Sequence, residues 1–192
     1  MKIRSLIALA ATVLGSTAVT LAQAAAAPPA PAGFRGEFLN EVAFVGKRLN
    51  DLANAMPADK YSWRPAAGVR SVGEVYVHVG LGNVFLSSFA GAKIPEGYTR
   101  DMEKTLTDKA KVVDAMKNSF DHLKSFATGM SDADLEKKVK IFGGLEVTQR
   151  ELMVIILNHM HEHLGQSIAY ARMNSVTPPW SETSDSPKPA KS

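Results

Sequence analysis

The feature that most constrains the fold is a helical period of apolar residues in four separate segments of this 192-residue chain. Within each segment, apolar residues recur every three or four positions and so line one face of an α-helix. Two segments begin with a Ser/Thr-x-x-Glu capping box, at Ser71 and Thr148. The segments cover residues 36–56, 72–89, 113–129 and 149–173. With no strong strand pattern elsewhere, they predict an all-α protein built as a four-helix bundle.

The connections between the predicted helices are less regular. The stretch GAKIPEGYTRDMEKT, residues 91–105, is punctuated by Gly and Pro and is expected to be a loop. Residues 131–138 are expected to add a short turn of helix. The stretch VKIFGGLEV has β-branched residues on both sides of Gly143 and Gly144, so it predicts either a small hairpin or an irregular loop.

The N-terminus has the layout of a secretory signal peptide. Lys2 and Arg4 precede an apolar run that ends near Leu21, and a small-residue Ala-x-Ala site follows. An uncleaved membrane anchor is the alternative, because the run approaches the roughly 20 residues that span a bilayer. Ala, Ser, Thr and Gly dilute the run, however. We expect residues 1–24 to be removed, and the mature protein to be periplasmic or secreted, without stable membrane insertion.

The rest of the chain divides by composition into one domain and two flanks. Residues 25–33 are rich in Ala and Pro and predict a flexible linker. Residues 175–192 are rich in Pro, Ser and Lys and predict a disordered tail. Between them, residues 34–174 are long enough to form one domain with its own core.

Charge and cysteine content restrict the class of function. Lys2 and Arg4 are two of the 22 basic residues, so the mature chain has 20 basic residues against 19 acidic ones. This balance gives no support to nucleic-acid binding. The chain has no cysteine, which excludes disulfides and thiolate ligands, so a metal would need histidine, carboxylate or water. We expect a small-molecule ligand or substrate as partner and no nucleic acid, and a homodimer remains open.

Three of the five histidines are concentrated in the stretch NHMHEHLGQ, residues 158–166. At about 100° per residue, His159 and His163 share one apolar face of their helix, whereas His161 points away from it. The same arithmetic places His78 on an apolar face of the second helix. Buried neutral imidazoles either find separate hydrogen-bond partners as core residues or share one divalent metal that satisfies all three.

The remaining candidate residues have structural explanations. His122 has no histidine at helical spacing and is assigned to the surface. Glu74 precedes His78 by one turn and could orient it, but its place in the capping box explains it without chemistry. Glu162 lies about 80° from the ligand face and is expected at the helix surface or the rim of the site. Glu74 and Glu162 are the two candidates for carboxylates that support the ligands. Two aromatic residues are expected to serve packing, Trp63 and Tyr76.

Two stretches of the sequence carry motifs that match a known family. YSWRPAAGVRSVGEVYVHV, residues 61–79, contains a Trp-Arg-Pro turn, a Ser-x-x-Glu helix start and a histidine. NHMHEHLGQ contains two histidines four apart followed by x-Gly-Gln. Together they resemble the DinB superfamily, a group of four-helix bundles that includes the YfiT-like proteins and the bacillithiol and mycothiol transferases. The resemblance covers about residues 38–174 and implies that His78, His159 and His163 are metal ligands.

The resemblance implies a metal site more firmly than an activity, because the family is functionally mixed. At Leu164, many members carry arginine, so any role of that arginine is absent here. Met160 stands where the H-E-x-x-H zinc proteases have their glutamate base, so a metalloprotease is not expected.

Three neutral histidines leave an open coordination position on a divalent ion, as in catalytic sites. Zinc or nickel are the first candidates, with manganese or iron as further ones. Because such an ion lowers the pKa of a bound water or thiol, the sequence favours a metal-dependent hydrolase or a thiol transferase. The export signal argues against the second, since the thiol cosubstrates of the family are cytoplasmic. The alternative is a non-catalytic bundle of the cell envelope that binds a metal or small ligand, and a relict site is a further one.

The first prediction concerns export. We expect cleavage after Ala24, with Ala26 as the less favoured position, because the Ala-x-Ala site follows the apolar run directly. Mass spectrometry of the mature N-terminal peptide should detect a chain that begins at Ala25. Recovery of intact Met1 from a soluble cytoplasmic fraction would contradict export.

Overall fold

The computed structural model describes residues 32–181, and within this range the chain is mostly helical, as the sequence predicts. The predicted signal peptide and most of both predicted flanks lie outside the described residues. The regular elements are α1 Gly33–Ala55, α2 Val72–Ser88, α3 Met102–Thr105, α4 Lys109–Gly129, β1 Lys138–Lys140, β2 Glu146–Thr148 and α5 Gln149–Met173. Short 3-10 turns occur at Ala58–Lys60, Asp132–Glu136, Phe142–Gly144 and Pro179–Ser181.

The four long helices form a bundle in which α1 and α2 each pack against both α4 and α5. Apolar stripes meet at the centre, where Val42 and Leu49 of α1 and Met116 of α4 are fully buried. None of the helices in residues 32–181 is long and apolar enough to cross a membrane. The packing of α2 on α5 brings the two helices that carry the candidate ligands into contact.

Helix α2 is apolar around most of its circumference. Val75, Tyr76 and Val77 are all buried although successive residues lie about 100° apart around the helix. Gly80 faces α4, where a Cβ atom would make an ordinary van der Waals contact, 3.5 Å from the Met116 Cα atom. A helix with little exposed surface belongs in the interior of a fold, and α2 packs against α3, α4 and α5.

Both predicted capping boxes are present. Glu74 N donates to Ser71 Oγ at 3.3 Å, and Ser71 N donates to the Glu74 carboxylate at 2.7 Å. Thr148 and Glu151 exchange the same two bonds at the start of α5, at 3.1 and 2.6 Å. Each box satisfies free backbone donors of the first helical turn. The boxes therefore fix the first residues of the two helices that carry the candidate ligands.

The connection between α4 and α5 is a hairpin, one of the two structures that its sequence predicts. Strands β1 and β2 are antiparallel, with Val139 opposite Val147. Gly143 and Gly144 form the turn with φ values of 63° and 82°, a conformation that glycine adopts at little cost. The turn leaves Phe142 largely exposed.

Two boundaries and one loop differ from the sequence-based expectation. Helix α1 begins at Gly33, three residues earlier than expected. Helix α4 begins at Lys109, because the Asp108 side chain accepts a hydrogen bond from Lys111 N at 3.0 Å and caps the helix. The expected loop at residues 91–105 contains the one-turn helix α3, which is too short to produce a helical period in the sequence.

The start of the predicted disordered tail packs against the bundle. Pro178 is buried, and Val176 and Trp180 contact the hydrophobic core. The guanidinium of Arg48, on α1, lies 5.1 Å from the centre of the Trp180 ring. The expectation of disorder was therefore wrong for residues 175–181, because Val176, Pro178 and Trp180 supply apolar contacts that the overall composition does not indicate.

The second prediction concerns the cap of α2. Replacing Ser71 by alanine should lower the free energy of unfolding by about 1 kcal/mol, because it removes the side-chain acceptor for Glu74 N. Ser131→Ala is the matched control, since Ser131 forms the same box on a one-turn 3-10 helix. Urea denaturation should show a smaller loss for that control. Equal losses would contradict the importance assigned to the α2 cap.

Candidate metal centre

The structure brings together the three histidines that the sequence places on inward helix faces. His78 comes from α2, and His159 and His163 come from α5. Their ring centroids are 5.0, 4.7 and 4.6 Å apart in the three pairs. One nitrogen of each ring lies within 4.8 Å of the others, a spacing at which they could hold one metal ion. These residues are called the histidine cluster below.

Glu103, on α3, fixes the position of the hydrogen on His78. Its Oε2 atom lies 2.9 Å from His78 Nδ1, and its Oε1 atom accepts a hydrogen bond from Arg70 Nε at 2.8 Å. Burial by itself raises the pKa of Glu103, but the hydrogen bonds from Arg70 and His78 lower it below its usual value. An ionised carboxylate only accepts, so His78 Nδ1 carries the hydrogen and Nε2 keeps a free lone pair.

Gln166 has the corresponding role for His163. Its Nε2 atom donates to the Tyr170 hydroxyl at 3.0 Å, which leaves its Oε1 atom to accept from His163 Nδ1 at 2.8 Å. Trp63 packs edge-on against the Tyr170 ring, with 5.4 Å between centroids, in the packing role that the sequence predicts. His163 therefore also keeps its Nε2 lone pair, and its side chain is buried.

His159 occupies space that the missing side chain of Gly82 leaves free. A Cβ atom at Gly82 would lie 2.2 Å from His159 Cε1 and 2.7 Å from Nδ1. Because non-bonded atoms do not approach so closely, any larger residue would displace the ring. His159 Nε2 lies 3.1 Å from His78 Nε2, and His159 Nδ1 is buried without a hydrogen-bond partner among the described residues.

The contact between His78 and His159 leaves one nitrogen unsatisfied in either tautomer of His159. With the hydrogen on Nε2, His159 donates to His78 and its Nδ1 is a buried acceptor without a donor. With the hydrogen on Nδ1, that group is a buried donor without an acceptor, and two lone pairs face each other across 3.1 Å. A buried unsatisfied group costs about 1–3 kcal/mol. A cation shared by the cluster would remove the lone-pair repulsion, so these residues fit a divalent metal.

The surroundings keep two rings of the cluster, those of His159 and His78, uncharged. Burial, followed by repulsion from His163 and His78, lowers the pKa of His159 to about 3. Burial, followed by the positive charge of Arg70, also lowers the pKa of His78 below its usual value. Both rings are therefore neutral near pH 7, which is the state in which imidazole binds metals.

A cavity of about 430 Å³ opens beside the cluster, with His78 and His159 in its lining. Most of the remaining lining is apolar. It includes Phe89, directly after α2, and Phe142 of the hairpin, whose rings pack edge to face with centroids 5.2 Å apart. The volume lies in the range of small-molecule sites. Within residues 32–181, no Asp or Glu contributes to this lining.

The two carboxylates selected from the sequence have other roles. Glu74 is engaged by its capping box and by ion pairs with Arg64 and Lys104. Glu162 is exposed on α5, as its angle from the ligand face predicts. The carboxylate that supports a member of the histidine cluster is instead Glu103. No sequence signal pointed to it, because it lies 25 residues from His78 in a stretch without helical periodicity.

The other two histidines lie outside the cluster. His161 is exposed and faces Glu41, with 3.4 Å between Nε2 and the carboxylate, as its outward position predicts. His122, expected at the surface, is half-buried, and burial lowers its pKa. The expectation was wrong because the connection after α2 covers this side of α4, where Ile94 and Pro95 line a cavity together with His122.

The fold and the cluster define a class of protein, an all-α bundle with a three-histidine site between two helices. The family model described as the DinB superfamily matches residues 42–167. The chain belongs to the DinB superfamily. No curated protein shows significant sequence similarity to it.

Solved structures share the fold at low sequence identity. A DinB-like protein from Bacillus cereus ATCC 10987 is 22% identical, with a TM-score of 0.64 over 74% of this chain and 93% of that chain. The DinB-like protein YjoA from Bacillus subtilis is 18% identical, with a TM-score of 0.59 over 73% and 94%. A conserved protein from Enterococcus faecalis is 14% identical, with a TM-score of 0.56 over 71% and 94%. These similarities establish the helical fold.

The third prediction concerns Glu103. Replacing it by glutamine should weaken zinc binding about tenfold, because a neutral amide holds the His78 ring less firmly and makes its Nε2 less basic. Competition with a chromophoric chelator measures the zinc Kd. Glu162→Gln is the matched control and should leave the Kd unchanged, since Glu162 is exposed. Equal zinc affinity in wild type and Glu103→Gln would contradict the assigned role.

Proposed function

We propose that this protein is an exported, metal-dependent hydrolase of the cell envelope that acts on a small molecule. His78, His159 and His163 would hold one divalent ion, with zinc or nickel favoured over manganese or iron. The observation that carries the proposal is the convergence of three imidazoles beside an apolar cavity. Export is supported by the N-terminal sequence alone.

The chain supplies the ligands, their orientation and a substrate-sized space. Glu103 and Gln166 direct the Nε2 lone pairs of His78 and His163 inward, so these rings need no rearrangement to bind. A divalent ion bound there would act as a Lewis acid that polarises a carbonyl and lowers the pKa of water or of a thiol. The apolar walls of the cavity hold the apolar part of a substrate and reduce the access of bulk water.

Thiol transfer uses the same site and is the second reaction that the proposal covers. The ligand set and the cavity suit both reactions, because each needs an electrophile placed beside the ion. Export disfavours transfer, since an exported protein is separated from cytoplasmic thiol cosubstrates. Hydrolysis needs no cosubstrate other than water and is therefore the first choice.

A non-catalytic role in metal or small-ligand binding is the alternative from a different class. One observation favours it. Within residues 32–181, the cavity lining contains no carboxylate to act as a general base, and Glu103 is already engaged by Arg70 and His78. Binding without turnover would use the same ligands and the same cavity.

The fourth prediction tests the metal site and the reaction together. Purified protein should bind about one divalent ion per chain, and His163→Ala should largely abolish this, because two imidazoles remain. His161→Ala is the matched control and should bind like wild type, since His161 is exposed. Elemental analysis measures the metal, and a screen of ester, amide and thiol-transfer substrates measures turnover. Chelation should remove turnover, and zinc, nickel or manganese should restore it.

Two results would overturn different parts of the proposal. Stoichiometric metal in the triple alanine variant of His78, His159 and His163 would contradict the proposed metal site. Equal losses of bound metal in His161→Ala and His163→Ala would contradict it as well. The second result is full metal occupancy without turnover that depends on His163, together with a ligand that raises the Tm only when metal is present. It would overturn the proposed catalysis and support metal-dependent binding instead.

A further inference from the structure

The cavity beside the histidine cluster has one charged side chain in its lining, Arg100, within the described part of the chain. Arg100 lies in the connection between α2 and α3, and its guanidinium is 5.1 Å from the centre of the Phe85 ring. Phe85 belongs to the same lining. The ring face therefore places the cation against an apolar wall of the cavity.

Arg100 differs from most arginines of the bundle because it forms no ion pair within residues 32–181. The guanidinium groups that do pair with a nearby carboxylate are those of Arg35, Arg64, Arg70 and Arg150. Arg70, the other guanidinium close to the cluster, is engaged by Glu103 at 2.8 Å. Arg100 thus retains its donors for a ligand, whereas Arg70 has its Nε engaged and lies outside the lining of this cavity.

We propose that the cavity takes a small organic anion, with an apolar body and one anionic group that Arg100 binds. This specificity rests on the proposed function, because it describes the substrate or ligand of the same site. The apolar body would lie against residues such as Leu81, Phe85 and Phe89. The anionic end would lie at the guanidinium, and the other end of the molecule would face the histidine cluster.

The charges around the cavity favour an anion over a neutral or cationic ligand. The lining contributes no carboxylate from residues 32–181 that would repel an anion or compensate Arg100. Arginine binds carboxylates and phosphates through two parallel hydrogen bonds, which are stronger at an apolar wall than in open water.

The test compares two probes of the same shape, 3-phenylpropionate and 3-phenylpropan-1-ol, by calorimetric titration. Wild-type protein loaded with zinc should bind the carboxylate about tenfold more tightly than the alcohol, the gain of one charge-assisted pair. Arg100→Gln should remove this preference, and Arg100→Lys should keep part of it. Arg100 is exposed, so these substitutions should leave the fold intact, which circular dichroism checks.

Arg48→Gln is the matched control. Arg48 also lies over a phenylalanine, 4.2 Å from the centre of the Phe44 ring, but it is outside the lining of this cavity. It should retain the full preference for the carboxylate. An equal loss in Arg48→Gln and Arg100→Gln would contradict the proposal, because the effect would then reflect overall charge.

The same titration on chelated protein separates this inference from the proposed function. If the preference depends on Arg100 with and without zinc, the anion specificity stands even when no turnover is found. If the preference survives Arg100→Gln but disappears on chelation, the carboxylate binds the metal, which overturns the role of Arg100 and supports the metal site. Failure of wild type to prefer the carboxylate in either state also overturns the role of Arg100.

Discussion

The close contact of α2 with α5 at Gly82 and His159 is the constraint on which the candidate site depends. A side chain at position 82 would occupy the position of the His159 ring, since its first carbon would lie 2.2 Å from Cε1. Glycine lowers helix propensity by about 1 kcal/mol relative to alanine, and α2 tolerates it because burial on nearly every side stabilises the helix. The cost in helix propensity is therefore offset by tertiary packing, and the space gained brings two imidazoles to 3.1 Å.

The polar partners of the histidine cluster determine which imidazole nitrogens keep a lone pair for a metal. Glu103 and Gln166 each accept from an Nδ1 atom, so two of the three rings have their hydrogens directed outward and their lone pairs inward. His159 has no such partner among the described residues and is the ring whose pKa burial lowers to about 3. A core built only for stability would satisfy this ring with a hydrogen bond. The close approach of His78 Nε2 and His159 Nε2, whose lone pairs one cation could share, is the physical reason for preferring a metal site to a packed polar core.

The sequence predicts the helices and the inward histidines because both depend on local periodicity. Helical spacing selected His78, His159 and His163 and set His161 aside, and the structure agrees on the positions of all four. Glu103 was missed for the opposite reason. Glu103 contacts His78, which lies 25 positions earlier in the chain, and it belongs to a helix of only four residues. A contact between positions so far apart and a helix so short produce no periodic pattern in the sequence. The burial of His122 was missed similarly, because a non-helical connection covers it.

The connection between α2 and α4 is therefore more than a link between helices. It supplies Glu103, which contacts His78, and Arg100, which lines the cavity. One segment therefore supports a candidate ligand and carries the one charged side chain that the described chain contributes to the lining. The bundle fixes the histidines through core packing that tolerates little change, whereas connections tolerate substitution and insertion. A fold that serves several functions can vary its ligands most easily in such a segment, without disturbing the histidine cluster. If Arg100 binds the ligand as proposed, the specificity of the chain is encoded between residues 89 and 108 rather than in the histidine cluster.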